Sequence, residues 1–209
     1  MSKRCLIISG GEFAPFAPPE EDCFVIACDR GYEYALRCGL RPDLVVSDFD
    51  SYSGAVESGI PIQHLPTEKD DTDTMSALRR ALAEGCTEIT LVCALGGRLD
   101  HLLANLQSAV FAAVRGARVR ILSADTEILT LREGTLRLPR REGWSLSVFS
   151  AGEVCRGVTI RGGKYPLEDA ELRWDFPLGV SNEWAAEAAE ISVREGTLLI
   201  VLSRMPEAD

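Results

Sequence analysis

The sequence predicts an α/β protein in which an N-terminal, three-layer, mostly parallel sheet with helices is followed by a small C-terminal antiparallel β-sandwich. Three features carry this reading. Over residues 1–125 short apolar runs alternate with segments of helical periodicity. From residue 126 onward the helical period disappears, and short β-type runs are divided by glycine-containing turn signals. Acidic residues collect just after the apolar runs of the first part, where a parallel sheet has its carboxyl edge.

In the first part the predicted strands are residues 4–9, 23–28, 44–46, 60–65, 88–95 and 118–123, each short, apolar and bounded by polar or glycine residues. A first helix opens near Gly31 and stops at Gly39. A second starts within 71–74 and stops at Gly85, with Met75, Leu78, Ala81 and Leu82 on one stripe. A third starts near Asp100 and stops at Gly116, with Leu102, Leu103, Leu106, Ala109, Val110 and Ala113 as its apolar face. Spacings of three and four, acidic residues at the starts and glycine at the ends support all three. In the second part the runs 127–131, 135–138, 145–149, 158–161, 189–193 and 197–202 are separated by Glu133-Gly134, Gly152, Gly162-Gly163 and Glu195-Gly196. Two domains are therefore expected, 1–125 and 126–209.

With 209 residues, 46% apolar and 26% charged, the chain can bury a proper core. Its net charge of −10 repels nucleic acid and anionic membrane, so neither is an expected partner. Binding a phosphate ligand then requires a metal ion or a local cationic pocket. No apolar run approaches the roughly 18 residues of a membrane span, and the apolar stretch after Lys3-Arg4 is too short for a signal peptide and reads as a first strand. Seven scattered cysteines with no Cys-x-x-Cys pair point to reduced core thiols and a cytoplasmic protein.

The placement of the carboxylates is the informative feature. Asp29 follows the second strand. Asp48 and Asp50 follow the third. Asp70, Asp71 and Asp73 precede the second helix, and Asp100 opens the third. All four junctions are expected at the carboxyl edge of the sheet, so carboxylates far apart in the chain converge there. Converging carboxylates repel one another unless a cation shares the site. Oxygen ligands select magnesium, calcium or manganese; with only His64 and His101 present, zinc is disfavoured. An EF-hand also fails, because position six counted from Asp48 is Ser53 and not glycine. Magnesium held by carboxylates and substrate phosphates fits best. Gly96-Gly97-Arg98 before a helix start offers backbone N–H groups and a guanidinium for phosphate, and Lys69 adds a second cation. Neither a P-loop nor a G-x-G-x-x-G fingerprint is present.

Simpler readings compete. Asp71, Thr72 or Asp73 can cap the second helix, and Asp100 the third. Asp43, after Pro42, reads as a turn residue. His101 beside Asp100 reads as an orienting group. Trp144 and Trp174 read as core, whereas Trp184 sits in the polar stretch Ser181-Asn182-Glu183 and is the better ligand platform.

Taken in order, Asp29-Arg30-Gly31, the segments 41–44, 47–51, 69–74 and 96–101 with Asn105, and the segment 179–182 resemble the thiamine pyrophosphokinase family. The family pattern usually has glycine where Arg30, Ser47 and Cys93 stand, and these are backbone-tuning positions. The resemblance implies an α/β catalytic domain that binds ATP and Mg2+ over 1–125. It also implies a β-sandwich for thiamine binding and dimerisation over 126–209, and a homodimer with thiamine near the subunit interface. The implied reaction transfers the pyrophosphoryl group of ATP, the co-substrate, to the hydroxyl of thiamine.

On this view Asp48, Asp50, Asp70, Asp73 and Asp100 are the metal set, with Asp73 and Asp100 the candidate catalytic bases. Asp29, Lys69, Thr72, Thr74, Gly96, Gly97, Arg98 and His101 hold the nucleotide, and Ser181, Asn182 and Trp184 hold thiamine. Two other readings stay open on the residues alone: a metal-dependent nucleotide-sugar transferase, which also uses paired carboxylates, and a non-catalytic nucleotide-binding protein.

Overall fold

A computed structural model describes residues 2–19, 22–48, 54–66 and 71–206. The chain divides into two compact units, Met1–Ala124 and Asp125–Asp209.

The first unit carries β1 (Lys3–Ile8), β2 (Cys23–Cys28), α1 (Gly31–Arg37), β3 (Leu44–Ser47), β4 (Ile62–His64), α2 (Asp73–Ala83), β5 (Cys86–Val92), α3 (Leu99–Val114) and β6 (Arg118–Leu122). Its strands lie in the order β6-β5-β1-β2-β3-β4, every neighbouring pair parallel. The chain runs outward from β1 to β4 and then crosses back to place β5 on the other side of β1. The strand order thus reverses between β1 and β5, where open α/β sheets bind ligands.

β1, β2 and β3 end in runs buried on both faces because both are covered there, as parallel sheets require. Ile7, Ile8, Ile26, Ala27, Val45, Val46 and Leu91 are completely buried. On one face α1 packs Tyr34 and Ala35 against Leu6, Ile8 and Val25, and Tyr32 against Ala27 and Val45. The alternation of the strand puts Cys28 on the opposite face, where its thiol reaches the Asp73 carbonyl at the start of α2.

Elements end close to where the sequence predicts, with physical reasons for the shifts. β5 stops at Val92 and not at Leu95, because Cys93 takes a left-handed backbone (φ 53°) that breaks the ladder. β4 is only Ile62–His64, with Ile62 and His64 exposed, as befits an edge strand. Among the described residues no helix joins β3 to β4, so Asp48 stands at a strand end and not at a strand-to-helix junction. Asp43 is the turn residue expected: its carboxylate accepts from the Val25 N–H at 2.8 Å.

The second unit holds β7 (Thr126–Pro139), β8 (Trp144–Ser150), β9 (Val154–Arg161), β10 (Leu167–Arg173), β11 (Gly179–Asn182) and β12 (Ala188–Arg204), all paired antiparallel. Two long strands, β7 and β12, pair along their whole length. The first half of β12 also pairs with β9 and the second half with β8, so β12 changes its second partner along its length. The predicted turns at Glu133-Gly134 and Glu195-Gly196 are instead a facing irregularity between Val193 and Thr197, where Glu133, Gly134 and Gly196 take positive φ. The glycines bend a continuous pair and do not end it. β10 and β11 have no counterpart in the sequence reading, because their burial is too patchy to give an apolar alternation. Leu146, Val148, Val158, Ile160, Leu172, Ile191, Leu198, Ile200 and Leu202 interlock as one core.

Candidate active site

Five chain segments meet at the carboxyl edge of the first unit's sheet and enclose one cavity of about 870 Å³. Ser9 to Phe13 leave β1, Asp29 and Arg30 leave β2, and Asp48 leaves β3. Asp71 to Thr74 lead into α2, and Ala94, Gly96, Gly97 and Arg98 leave β5, with His101 and Asn105 of α3 behind them. The convergence comes from topology: four segments lie where a parallel strand runs out and the fifth where α2 begins.

Local chemistry holds each segment in place. Thr72 is the N-cap of α2, its backbone extended (φ −77°, ψ 158°) and its hydroxyl accepting from the Met75 N–H at 3.1 Å. That orients the positive end of the helix towards the cavity. Thr74 is buried, and its hydroxyl lies 3.0 Å from that of Ser9, fastening α2 to the end of β1. The Asn105 amide donates to the Ala94 carbonyl at 2.8 Å and so fixes the turn after β5. In that turn Gly96 and Gly97 have φ 78° and 68°, a left-handed pair that side chains disfavour. The space a Gly96 side chain would need is filled by Glu12.

The predicted residues divide as follows. Asp29, Asp48, Asp71, Thr72, Asp73, Thr74, Gly96, Gly97, Arg98 and His101 share the cavity. Asp50, Lys69 and Asp70 lie outside the described residues. Asp100 is beside the cavity but not on its wall: its carboxylate is gripped by Arg98, with Nε 3.2 Å from Oδ1 and Nη2 2.6 Å from Oδ2. This bond, helped by the His101 N–H, holds the Asp100 carboxyl below the usual carboxylate range. Asp71 pairs with Arg79 at 3.0 Å. Asp29 is only 4% exposed, in left-handed backbone (φ 46°), and accepts from the buried Ser47 hydroxyl at 2.9 Å.

Sequence reasoning missed Ser9 and Glu12. The Gly10-Gly11 pair after β1 was the available signal, since a side chain at Gly11 would strike the Cys93 carbonyl at 2.6 Å. That close approach carries Glu12 onto the cavity wall.

In the second unit the predicted trio is differently employed. Ser181 is exposed in left-handed backbone (φ 58°). Asn182 is buried and braces a neighbouring turn: Oδ1 accepts from the Tyr165 N–H at 2.9 Å, and Nδ2 donates to the Tyr165 carbonyl at 2.8 Å. Trp184 corrects the expectation of an open aromatic platform. It is 8% exposed and packed in the sandwich core, its indole N–H donating to the Leu138 carbonyl at 3.1 Å. Burying so large a ring gains more than leaving it in water.

Residues 19–121 match the family model for the catalytic domain of thiamin pyrophosphokinase, and residues 133–198 match the model for its vitamin B1 binding domain. The chain belongs to the thiamin pyrophosphokinase family. Its relatives include the thiamine pyrophosphokinase of Bacillus subtilis (strain 168), 27% identical over 190 residues that span 88% of this chain and 89% of that protein. The crystal structure of the Bacillus subtilis thiamine pyrophosphokinase superposes with a TM-score of 0.84 at 25% identity, covering 98% of this chain and 100% of that one. A thiamin pyrophosphokinase family protein from Enterococcus faecalis gives 0.80 at 29% identity, over 97% and 100% of the two chains. In this thiamin pyrophosphokinase fold the cavity described above lies wholly within the stretch matched by the catalytic model, apart from the segment after β1.

Proposed function

We propose that the protein is a magnesium-dependent thiamine pyrophosphokinase that moves the pyrophosphoryl group of ATP onto the hydroxyl of thiamine, giving thiamine diphosphate and AMP. The observation that carries this is the single cavity in which carboxylates from three strand ends and one helix start face a glycine-rich turn bearing Arg98. A sugar-nucleotide transferase has no need of that turn or of a vitamin B1 binding unit, and the family assignment does not favour it.

The donor set suits magnesium. Asp48 and Asp73 offer hard oxygens in the same cavity, yet among the described residues no three acidic, histidine or cysteine side chains close a protein-only metal cage. Magnesium characteristically keeps waters and takes phosphate oxygens beside one or two carboxylates, so an open set is the expected one. When bound, the ion neutralises charge on the triphosphate. Asp48 and Asp73 are the described residues that would hold it, with Asp50 and Asp70 completing the set and Asp100 joining them once Arg98 turns from its carboxylate to the phosphates.

The chain's own groups position and neutralise. The Gly96 and Gly97 amides, Arg98, Lys69 and the start of α2 hold the phosphates, Thr72 and Thr74 frame them, and Asp29 and His101 line the nucleotide side. The thiamine oxygen forms its bond to the β-phosphorus as the bond to the α-phosphate bridging oxygen breaks, and AMP leaves with those electrons. The hydroxyl proton passes to a carboxylate. Asp73, on the cavity wall, is the better-placed acceptor, since Asp100 lies beside the cavity with its carboxylate held by Arg98. Ser181 contacts thiamine, with Asn182 and Trp184 shaping the surface beneath it.

We place the protein in the cytoplasm as a homodimer. Its cysteines are free thiols, which suits a reducing compartment. Among the described residues no helix is long and apolar enough to cross a membrane. Incubation with ATP, magnesium chloride and thiamine is expected to release AMP and thiamine diphosphate in equal amounts. AMP release that is independent of thiamine, or absent with it, refutes the proposal. Light scattering at micromolar concentration tests the dimer, and a monomer's mass there refutes it.

A further inference from the structure

Among the described residues Asp29 is the most deeply buried carboxylate on the cavity wall, 4% exposed, while Asp48, Asp71 and Asp73 are only partly buried. A carboxylate removed from water needs a counter-charge or several donors. Among the described residues its side chain has one partner, the hydroxyl of Ser47, which donates to Oδ1 at 2.9 Å. No ion pair joins it to a described cationic side chain.

The backbone forces this placement. Asp29 is in left-handed geometry (φ 46°), and its N–H donates to the Val46 carbonyl at 3.0 Å, so the residue is pinned across the ends of β2 and β3. Gly31 lets the following turn close onto β1, since a side chain there would collide with the Ile8 backbone. Ser47 itself is completely buried at the end of β3, immediately before Asp48. One hydroxyl therefore ties the carboxylate after β2 to the strand that delivers the carboxylate after β3.

Resting on the function proposed above, we propose that Ser47 is a positioning residue: its hydroxyl holds Asp29 Oδ1, so that Oδ2 faces the cavity and meets the magnesium ion of the bound metal nucleotide, directly or through a water, as the missing counter-charge. Ser47 touches no substrate. It sets the rotamer of Asp29 and couples that rotamer to the position of Asp48. Binding of the metal nucleotide then relieves the unpaired buried charge, and the relief adds to nucleotide affinity and not to thiamine affinity.

The test is a double-mutant cycle on binding, read by isothermal calorimetry with MgATP and no thiamine. Removing a hydrogen bond to a charged acceptor is expected to weaken MgATP binding about tenfold in Ser47→Ala. Asp29→Asn is expected to weaken it at least as much. The pair Ser47→Ala/Asp29→Asn is expected to add nothing beyond Asp29→Asn, because the hydroxyl acts through the carboxylate. In steady state the KM for MgATP rises with Ser47→Ala while the KM for thiamine stays within about twofold.

Ser47→Ala that melts lower but binds MgATP as the wild type does overturns the proposal and makes the hydroxyl merely structural. Additive losses in the double variant overturn it too. Should Ser47→Ala not fold, Ser47→Cys, with its weaker donor, replaces it in the same cycle and is read the same way. Failure of the wild-type protein itself to bind MgATP is a different result, and it removes the functional reading along with this one.

Discussion

Replacing Gly31 with alanine tests the geometry that builds the site. A β-carbon at this position would lie 2.8 Å from the Ile8 carbonyl carbon and closer still to its oxygen. The obstacle is backbone at the buried end of β1, so no side chain can swing away. To restore an ordinary contact with that oxygen, the start of α1 must withdraw from β1 by about 1.5 Å. Overpacking against a core typically costs about 1–3 kcal/mol, and a backbone obstacle belongs at or above the top of that range. Taking about 3 kcal/mol and about 3–4 °C per kcal/mol for a unit of this size, the melting temperature falls by roughly 10 °C. Gly152→Ala is the matched control, since nothing lies within 4 Å of its β-carbon. Its melting temperature is expected to stay within about 2 °C of wild type. Scanning calorimetry reads both. Because Asp29 and Arg30 ride on the displaced segment, Gly31→Ala is also expected to weaken MgATP binding at a temperature where it is still folded. A melting temperature within about 2 °C of wild type would refute the packing argument.

Further expectations concern the site directly. Asp73→Asn keeps the helix start but removes a charge, and turnover is expected to fall about 10²–10³-fold with little change in melting temperature; near-normal turnover removes Asp73 from the catalytic set. Arg98→Ala is expected to cut turnover about 10–100-fold while leaving thiamine KM unchanged. The same variant frees Asp100. Its carboxyl, held low in the wild type by the Arg98 bond, is expected to titrate at higher pH, towards the ordinary value of 3.8. Carbon-13 NMR of the labelled carboxyl reads this, and an unmoved midpoint contradicts the pairing. Asn182→Ala loses both bonds that brace Tyr165, and a destabilisation of about 1–3 kcal/mol is expected. An unchanged denaturation midpoint would mean that Asn182 is not structural.

Much of the site was legible because its residues sit at strand ends. Asp29, Asp48, Asp73 and Gly96 each follow or precede a strongly patterned element, and a parallel sheet sends all such positions to one edge. Glu12 was not legible. It reaches the cavity only because Gly11 allows a close approach to Cys93, a contact between residues some eighty positions apart. Trp184 misled for a related reason. Its neighbours in sequence are polar, while its neighbours in space, Leu138 among them, are core. The pair β7 and β12 shows the same limit: a glycine that marks a turn in isolation becomes a bend once a partner strand continues the ladder.

The amino-acid pattern alone determined the α/β first part, the all-β second part and, through ordered motifs, the family. These follow from periodicity, charge and residue type, which are properties of short segments. Only the tertiary structure decided which groups are partners. It gave Asp100 to Arg98, Thr74 to Ser9, Asn182 to the Tyr165 turn, and a single hydroxyl to the buried Asp29. Burial and hydrogen bonding depend on contacts between distant parts of the chain, and those exist only once the strand order has been set.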